Sequence, residues 1–240
     1  MNIPFYSDRQ VAGALDFASA QRALDAAFAD LAAGRAQVLA RKRVDCGDVK
    51  LSVMGGIWLA RNLAGVKAYP TVNGQFSFTV NLYDLARNEP VAVLAGGELT
   101  RLRTAAIVAL VASRAAQAHS RKLALVGAGV QGRSIAAALC ALFPLEQVCV
   151  ADPALRRGAR VELPGATGMA ATVCGVEEAV READIVVTAT RSKTPVFSGD
   201  WLKPGAFVAA IGTSLPNGRE LDDLTLAQAA QVIVEWKEQS

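Results

Sequence analysis

The chain has 240 residues, of which 52% are hydrophobic and 20% charged, and its formal net charge at pH 7 is +3. This composition is typical of a globular protein with a sizeable core and excludes a disordered one. The small, scattered positive charge does not favour nucleic acid binding, and no apolar run approaches the ~20 residues that a membrane helix needs. The first residues lack the basic and apolar regions of a signal peptide. We therefore expect a cytoplasmic protein that binds neither nucleic acid nor membrane.

The first hundred residues are typical of a mixed α+β domain. Apolar side chains at helical spacing predict a helix from Asp16 to Leu31, which Gly34 ends. Turn residues then separate several short β-like runs, which indicate an antiparallel sheet. The predicted strands are Val38–Leu39, Leu51–Met54, Gly65–Tyr69, Phe76–Tyr83 and Val91–Leu94.

Three segments of this region carry cations. They are Arg41-Lys42-Arg43, Lys67 within an apolar run, and Arg101 with Arg103. An alanine-rich helix is predicted from Thr104 to Ala118, so the last two arginines would lie at its N-terminus, where the helix dipole disfavours cations. That placement indicates an anionic ligand, because arginine binds a carboxylate with two parallel hydrogen bonds. Partial burial would lower the pKa of Lys67 and ease proton donation. The alternative is that each cation is a solvated surface charge.

A predicted strand at residues 122–126 runs directly into a glycine loop, Gly127-Ala128-Gly129-Val130-Gln131-Gly132, with the G-x-G-x-x-G spacing. Asp152 follows the next strand, about 20 residues later. The first glycine permits a tight turn, the second lets a pyrophosphate approach the backbone, and the third packs the helix against the sheet. The helix N-terminus presents free N–H groups to the phosphates. Asp152 would accept hydrogen bonds from the ribose hydroxyls and repel a 2′-phosphate. This predicts NAD(P)H as cofactor, with NAD favoured.

Strands and helices alternate through the rest of the chain. Predicted strands at Met169–Val173, Asp184–Ala189, Ala206–Ile211 and Gln231–Glu235 are separated by predicted helices at 176–182 and 222–229, and a helix at 134–142 follows the glycine loop. Such alternation favours an α/β fold with a Rossmann doubly wound parallel sheet. We therefore expect an N-terminal α+β domain over residues 1–103 and a Rossmann NAD(P)-binding domain over residues 104–240.

Metal and hydrolase sites are not expected. Cys46, Cys140, Cys149 and Cys174 form no C-x-x-C pair, and three of them lie in apolar stretches, which is typical of buried free thiols. His119 is the only histidine, so neither a metal-ligand pattern nor a Ser–His or Cys–His pair is available.

The motifs together resemble the ornithine cyclodeaminase/μ-crystallin family. The resemblance rests on Leu99-Thr100-Arg101-Leu102-Arg103-Thr104-Ala105-Ala106 and the glycine loop, followed by Ala183–Thr190, Leu202–Ala206 and Arg219–Asp222. It implies an N-terminal substrate and dimerisation domain, a Rossmann domain and a homodimer. The family includes ketimine reductases, alanine dehydrogenases, cyclodeaminases and a hormone-binding crystallin.

The resemblance also implies roles for individual residues. Substrate carboxylate binding falls on Arg41, with Arg43 a possible substitute, and on Arg103, while Lys67 takes the catalytic lysine position. Thr79 matches a substrate-contacting position less closely. Thr104 matches a residue that binds cofactor phosphate, the alternative being a helix N-cap. Thr190 and Ser214 complete the expected cofactor-binding residues.

One departure decides the expected reaction. Cyclodeaminases carry an aspartate in a G-x-D-x-P pattern, where this chain has Ser214 in Gly212–Pro216. A serine is a poor general acid or base near neutral pH. The resemblance therefore implies NAD(P)H-dependent reduction of a small cyclic imine carboxylate, such as Δ1-pyrroline-2-carboxylate to proline. Alanine dehydrogenase or ornithine cyclodeaminase activity, or a crystallin-like protein that binds NAD(P)H and a ligand without turnover, remain alternatives. The family's closing C-terminal helices are expected to be absent, since the sequence stops at Ser240.

Overall fold

The computed structural model describes residues 2–166, 169–213 and 218–236. The chain divides into two compact units, Met1–Arg103 with Val234–Ser240, and Thr104–Ile233. Residues 234–236, which the sequence analysis placed in the second domain, therefore cluster with the first unit. None of the helices in the described part of the chain is long and apolar enough to cross a membrane.

Two helices of the first unit begin at side-chain caps. Ser7 forms a capping box with Gln10 at the start of α1 (Asp8–Ala14), a helix that the sequence analysis did not predict. Asp16 accepts a 2.6 Å hydrogen bond from a backbone N–H in the first turn of α2 (Phe17–Ala32). The helix predicted from Asp16 is thus confirmed, and its local cap explains why its start was predictable.

The sheet of the first unit is antiparallel apart from one edge pair. Its strands are β1 (Phe5–Tyr6), β2 (Ala36–Cys46), β3 (Val49–Trp58), β4 (Leu63–Val72), β5 (Gln75–Phe76), β6 (Thr79–Asp84) and β7 (Glu89–Ala95). Their order is β1-β7-β6-β4-β3-β2, with β5 paired to β4 and β1 parallel to β7. The predicted single strand over residues 76–83 is wrong. A turn at Asn73 and Gly74, both at positive φ, folds β5 back onto β4 before β6 begins.

Helix α3 (Gly97–Ala115) begins at Gly97 rather than at Thr104 as predicted. The reason is a cap that is remote in sequence, since Asp8 accepts a 2.7 Å hydrogen bond from the backbone N–H of Glu98. A carboxylate at this helix end satisfies a free donor and the helix dipole. The alternative reading of Thr104 as an N-cap is therefore wrong.

The second unit contains a six-stranded sheet. Its strands are β8 (Lys122–Val126), β9 (Gln147–Ala151), β10 (Arg160–Glu162), β11 (Ala170–Val173), β12 (Ile185–Thr188) and β13 (Phe207–Ala210). The order is β10-β11-β9-β8-β12-β13, and every pair is parallel except β10 with β11. Without the antiparallel edge strand β10, the chain order 3-2-1-4-5 is that of a doubly wound Rossmann sheet, which confirms the predicted fold class.

The core of the second unit lies on both faces of this sheet. Consecutive residues of its strands, whose side chains point to opposite faces, are fully buried, among them Leu123, Ala124 and Leu125 on β8 and Ile185, Val186 and Val187 on β12. The described helices of this unit are α4 (Val130–Leu142), α5 (Val176–Val180) and α6 (Asp223–Ala227), together with residues 104–115 of α3. All four cysteines are free, and burial raises the pKa of the Cys140 thiol to about 11.

The predicted strand Gln231–Glu235 is wrong. Its described residues form no strand, and Val232, Ile233 and Val234 are exposed. Branched apolar residues favour a strand locally, but a strand requires a neighbour with free backbone groups.

Candidate functional site

The glycine loop of the second unit has the geometry of a phosphate-binding turn. Gly127 has a φ of +93°, and a Cβ there would lie 2.7 Å from the carbonyl oxygen of Ala189. A Cβ on Gly132 would lie 2.1 Å from the carbonyl oxygen of Gly127. A Cβ on Gly129 would meet nothing within 4 Å. Two glycines are therefore required by close packing within the protein, while the third faces open space at the start of α4.

Two side chains hold the middle of this loop. Asp152 accepts hydrogen bonds from the backbone N–H groups of Ala128 at 2.8 Å and Ala154 at 2.9 Å. Arg133 donates from Nε to the carbonyl oxygen of Ala128 at 2.7 Å. Asp152, which the sequence analysis assigned to the ribose, thus binds the backbone of the loop itself. Arg133 was missed, although its place directly after the last glycine was a usable signal.

The start of α4 carries the other loop residues assigned from the sequence. Gly129 caps the helix without a side-chain hydrogen bond, and Val130 is exposed. The Oε1 atom of Gln131 is buried and has no hydrogen-bond partner among the described residues. An uncapped helix N-terminus, open space at Gly129 and an unsatisfied buried acceptor fit a bound dinucleotide.

Glu220 connects the loops that follow β12 and β13. Its buried carboxylate accepts hydrogen bonds from the backbone N–H and hydroxyl of Thr190, at 2.7 and 2.6 Å, and from the backbone N–H of Gly212 at 2.7 Å. These two residues follow β12 and β13, at the carboxyl edge where Rossmann folds bind their ligand. Ser214 lies outside the described residues. The sequence analysis missed Glu220 as a site residue because its partners are distant in sequence.

Lys67 lies on β4 of the first unit, half-buried among polar and aromatic groups. Its ammonium nitrogen donates to the hydroxyl of Thr100 at 2.7 Å and lies 4.1 Å from the ring centre of Phe78 and 5.5 Å from that of Tyr69. Burial, with smaller contributions from the charges of Arg103 and Arg41, lowers the pKa of Lys67 to about 8. The lysine is thus poised to hold or release a proton near neutral pH.

Arg41 is positioned by an irregularity in the sheet. The register of β2 against β3 shifts between Leu39 and Lys42, and such a bulge redirects the side chains within it. The Nε atom of Arg41 is buried and has no hydrogen-bond partner in the described part of the chain. A buried guanidinium donor without a partner is costly, which is a reason to expect an anionic ligand there. Arg43 instead donates to the buried hydroxyl of Ser52 at 3.1 Å.

The other residues that the sequence analysis assigned to the substrate or cofactor are Arg103, Thr79 and Thr104, and their contacts differ. Arg103 forms a 3.4 Å ion pair with Glu235, and both side chains are substantially exposed. The expected placement of Arg101 and Arg103 at a helix N-terminus is wrong, because α3 begins at Gly97. Arg101 lies inside the helix and pairs with Glu98. Thr79 donates its hydroxyl to the carbonyl oxygen of Ala68 at 3.3 Å. Thr104 is buried in the second unit.

The described residues therefore supply two sets of groups, one in each unit. The first unit contributes the cations Arg41, Lys67 and Arg103, whose charges influence one another. The second contributes a dinucleotide-type loop. No group of three or more metal-ligating side chains occurs within the described ranges.

The chain matches a known protein family over both units. The sequence profile of the ornithine cyclodeaminase/mu-crystallin family matches residues 5–240. A Delta(1)-pyrroline-2-carboxylate reductase of Bacillus cereus is 34% identical over 171 residues, covering 70% of this chain and 51% of the relative. The chain thus spans about half the length of the curated relatives that it matches.

Two solved structures extend this comparison to the fold. A probable ornithine cyclodeaminase from Bordetella pertussis Tohama I has a TM-score of 0.96 and 42% identity, covering 99% of this chain and 76% of the other. An archaeal alanine dehydrogenase dimer with bound NAD has a TM-score of 0.88 and 26% identity, covering 100% of this chain and 76% of the other.

Proposed function

Because the chain belongs to the ornithine cyclodeaminase/mu-crystallin family, we propose that it reduces the C=N bond of a small cyclic imine carboxylate with NAD(P)H. The membership itself confirms the resemblance inferred from the sequence motifs. Reduction of Δ1-pyrroline-2-carboxylate to proline is the specific form of the proposal. The pyrroline-2-carboxylate reductase of Bacillus cereus supports this reaction class.

The observation that best supports the proposal is the lowered pKa of Lys67. A half-buried lysine whose pKa is lowered to about 8 changes charge close to neutral pH, where a surface lysine remains fully charged. The two arginines that help to lower this pKa supply positive charge for a substrate carboxylate. A cyclic imine carboxylate combines the two features, an anionic group and a basic nitrogen, that these cations would recognise.

The roles of the residues follow from their chemistry. Arg41 and Arg103 hold the substrate carboxylate, and Lys67 as an ammonium donates a proton at the imine nitrogen. A nicotinamide cofactor held by the second unit would supply the hydride for the imine carbon, which with the proton from Lys67 converts C=N to CH–NH and oxidises NAD(P)H to NAD(P)+. The glycine loop and Asp152 hold the cofactor, with NAD slightly favoured over NADP. Thr79 contacts the substrate, and Thr104, Thr190 and Ser214 contact the cofactor.

Two other activities are compatible with the same set of residues. The likeness to an alanine dehydrogenase and to a probable ornithine cyclodeaminase supports each of them. Ser214, in place of the cyclodeaminase aspartate, disfavours cyclodeamination because a hydroxyl is a weak acid–base group. A turnover assay distinguishes these reactions from a crystallin-like role, in which the protein would bind NAD(P)H and a ligand without turnover.

We also propose a homodimer formed through the sheet of the first unit. One face of the β2–β3 pair leaves apolar side chains exposed, among them Leu39, Val44, Val49, Leu51 and Ile57. Exposed apolar sheet surface of this kind favours association, and the archaeal alanine dehydrogenase is a dimer. Sedimentation at micromolar concentration tests this, and a monomer throughout would count against it.

The deciding experiment for the activity is a turnover assay on the 240-residue chain. Purified protein is mixed with NADH or NADPH and Δ1-pyrroline-2-carboxylate, and both nicotinamide oxidation and proline formation are measured. Parallel reactions contain ornithine, or alanine with NAD. We expect proline in proportion to the cofactor oxidised. Tight binding of NADH without any product would instead support the binding-protein alternative.

A further inference from the structure

We propose that Thr100 and Phe78 are positioning residues for Lys67, which fix the direction of its remaining N–H groups and favour its ammonium form. This inference rests on the proposed function only in giving Lys67 a chemical role. The groups involved all belong to the first unit, and none of the comparisons assigns them.

Thr100 is oriented so that it accepts a hydrogen bond from the lysine. Its hydroxyl donates its single proton to the carbonyl oxygen of Gly96 at 2.5 Å. The lone pairs of the oxygen are then directed towards Lys67, whose nitrogen lies 2.7 Å away. A hydrogen bond from an ammonium is stronger than one from a neutral amine, so this contact favours the charged form.

Phe78 covers a second side of the same nitrogen. The ammonium lies 4.1 Å from the ring centre, within the distance at which a cation is attracted to an aromatic face. Gly96 permits this placement, because a Cβ there would lie 2.8 Å from the Cβ of Phe78. The backbone N–H of Gly96 also donates to the carbonyl oxygen of Phe78 at 2.9 Å. Gly96 thus connects both positioning residues.

The contacts with Thr100 and Phe78 oppose the other effects that the surroundings have on the charge of Lys67. Burial and the charges of Arg103 and Arg41 disfavour the ammonium, whereas the charge of Glu235, among the described residues, favours it. Thr100 and Phe78 add two uncharged contributions on the favourable side. They also occupy two sides of the nitrogen, which leaves its other N–H groups for a substrate atom. The two contacts therefore orient the N–H groups of the lysine as well as favour its charged form.

The test measures the protonation of Lys67 directly, without substrate or cofactor. The chain is acetylated with limiting acetic anhydride from about pH 6 to about pH 10, and mass spectrometry quantifies modification of the Lys67 peptide. The midpoint of that curve reports the pKa of Lys67. We expect Thr100→Val to lower it by about one pH unit, because a charge-assisted hydrogen bond is lost. Thr100→Ser, which keeps the hydroxyl, should restore it.

A second pair of variants tests the ring. Phe78→Leu should lower the midpoint by about half a pH unit, because it removes the aromatic face but keeps apolar bulk. Phe76→Leu is the matched control, since Phe76 stacks on Phe78 at 5.4 Å, whereas the lysine nitrogen lies near the rings of Phe78 and Tyr69. Equal midpoints for Thr100→Val and Thr100→Ser, or for Phe78→Leu and Phe76→Leu, overturn the corresponding role.

The outcome is separable from that of the reductase assay. If the chain turns over no imine but the Lys67 midpoint still follows Thr100, the positioning role stands and the reductase proposal falls. If it reduces the imine but the midpoint ignores Thr100, the reverse holds.

Discussion

The two units use their β-sheets in opposite ways. In the second unit, the residues of β8 and β12 are almost all buried, and the glycine loop follows directly after β8. In the first unit, β2 and β3 are mostly exposed or half-buried, and Lys67, the proposed proton donor, lies on the neighbouring strand β4. The parallel sheet thus supports a loop, whereas the antiparallel sheet itself carries a cation of the proposed site. Damage to one unit should therefore leave the task of the other largely intact.

The strongest test of this division is removal of a cation from the first unit. Arg103→Met should reduce kcat/KM by about 30- to 1000-fold, because a charge-assisted bidentate contact to the carboxylate contributes roughly 2–4 kcal/mol. Affinity for NADH, measured by fluorescence titration, should change little. Arg101→Met is the control, since that arginine lies on the same helix but pairs with Glu98. Comparable losses in both variants would show that the substrate pocket is misplaced.

The converse test alters the loop of the second unit. Gly127→Ala places a methyl group at positive φ and against the backbone of Ala189, a strain of about 1–3 kcal/mol. We expect NADH affinity to fall by about 10- to 100-fold. Gly13→Ala in α1 is the control, because a Cβ there meets nothing within 4 Å. Unchanged NADH binding in Gly127→Ala would show that the loop does not hold the cofactor.

Features whose interacting residues lie close together in the sequence were predicted, whereas features that depend on residues distant in the sequence were not. The glycine loop and the helix that begins at Asp16 are local patterns, so the sequence predicted both. The start of α3 was misplaced because Asp8, which caps it, lies far away in the chain. Glu220 and Thr100 were missed for the same reason, since their partners come from other loops and strands. The strand predicted at 231–235 failed because apolar periodicity says nothing about whether a neighbouring strand exists.

The pH dependence of the two units should also differ. In the proposed mechanism the ammonium form of Lys67 donates the proton, and its pKa is about 8, so kcat/KM should be constant at lower pH and fall as pH rises through about 8. The decline should approach tenfold for each pH unit. NADH affinity should stay level over the same range. A rate that climbs through this region would mean that the neutral amine, acting as a base, is the active form.

The smallest expected effect concerns the choice of cofactor. Asp152 lies at the end of β9, where its charge repels a 2′-phosphate, so NADH should bind several-fold more tightly than NADPH. Arg157 is near in sequence, but its side chain pairs with Glu178 at 2.5 Å, which reduces its capacity to attract that phosphate. Parallel titrations with both reduced cofactors measure the ratio. A clear preference for NADPH would contradict this role of Asp152.

The bond between Asp8 and the start of α3 makes the first residues of the chain a remote determinant of its chemistry. Pro4 accepts a hydrogen bond from Val93, so the N-terminal segment is fastened to β7 before it reaches Asp8. Proteolytic trimming past residue 8, or a bulky fusion partner placed there, would release the first turn of the helix that carries Thr100 and Arg103. Such a preparation would keep its Rossmann sheet and its cofactor loop while losing catalytic competence. In practice, affinity tags belong elsewhere, and intact mass should accompany every activity measurement.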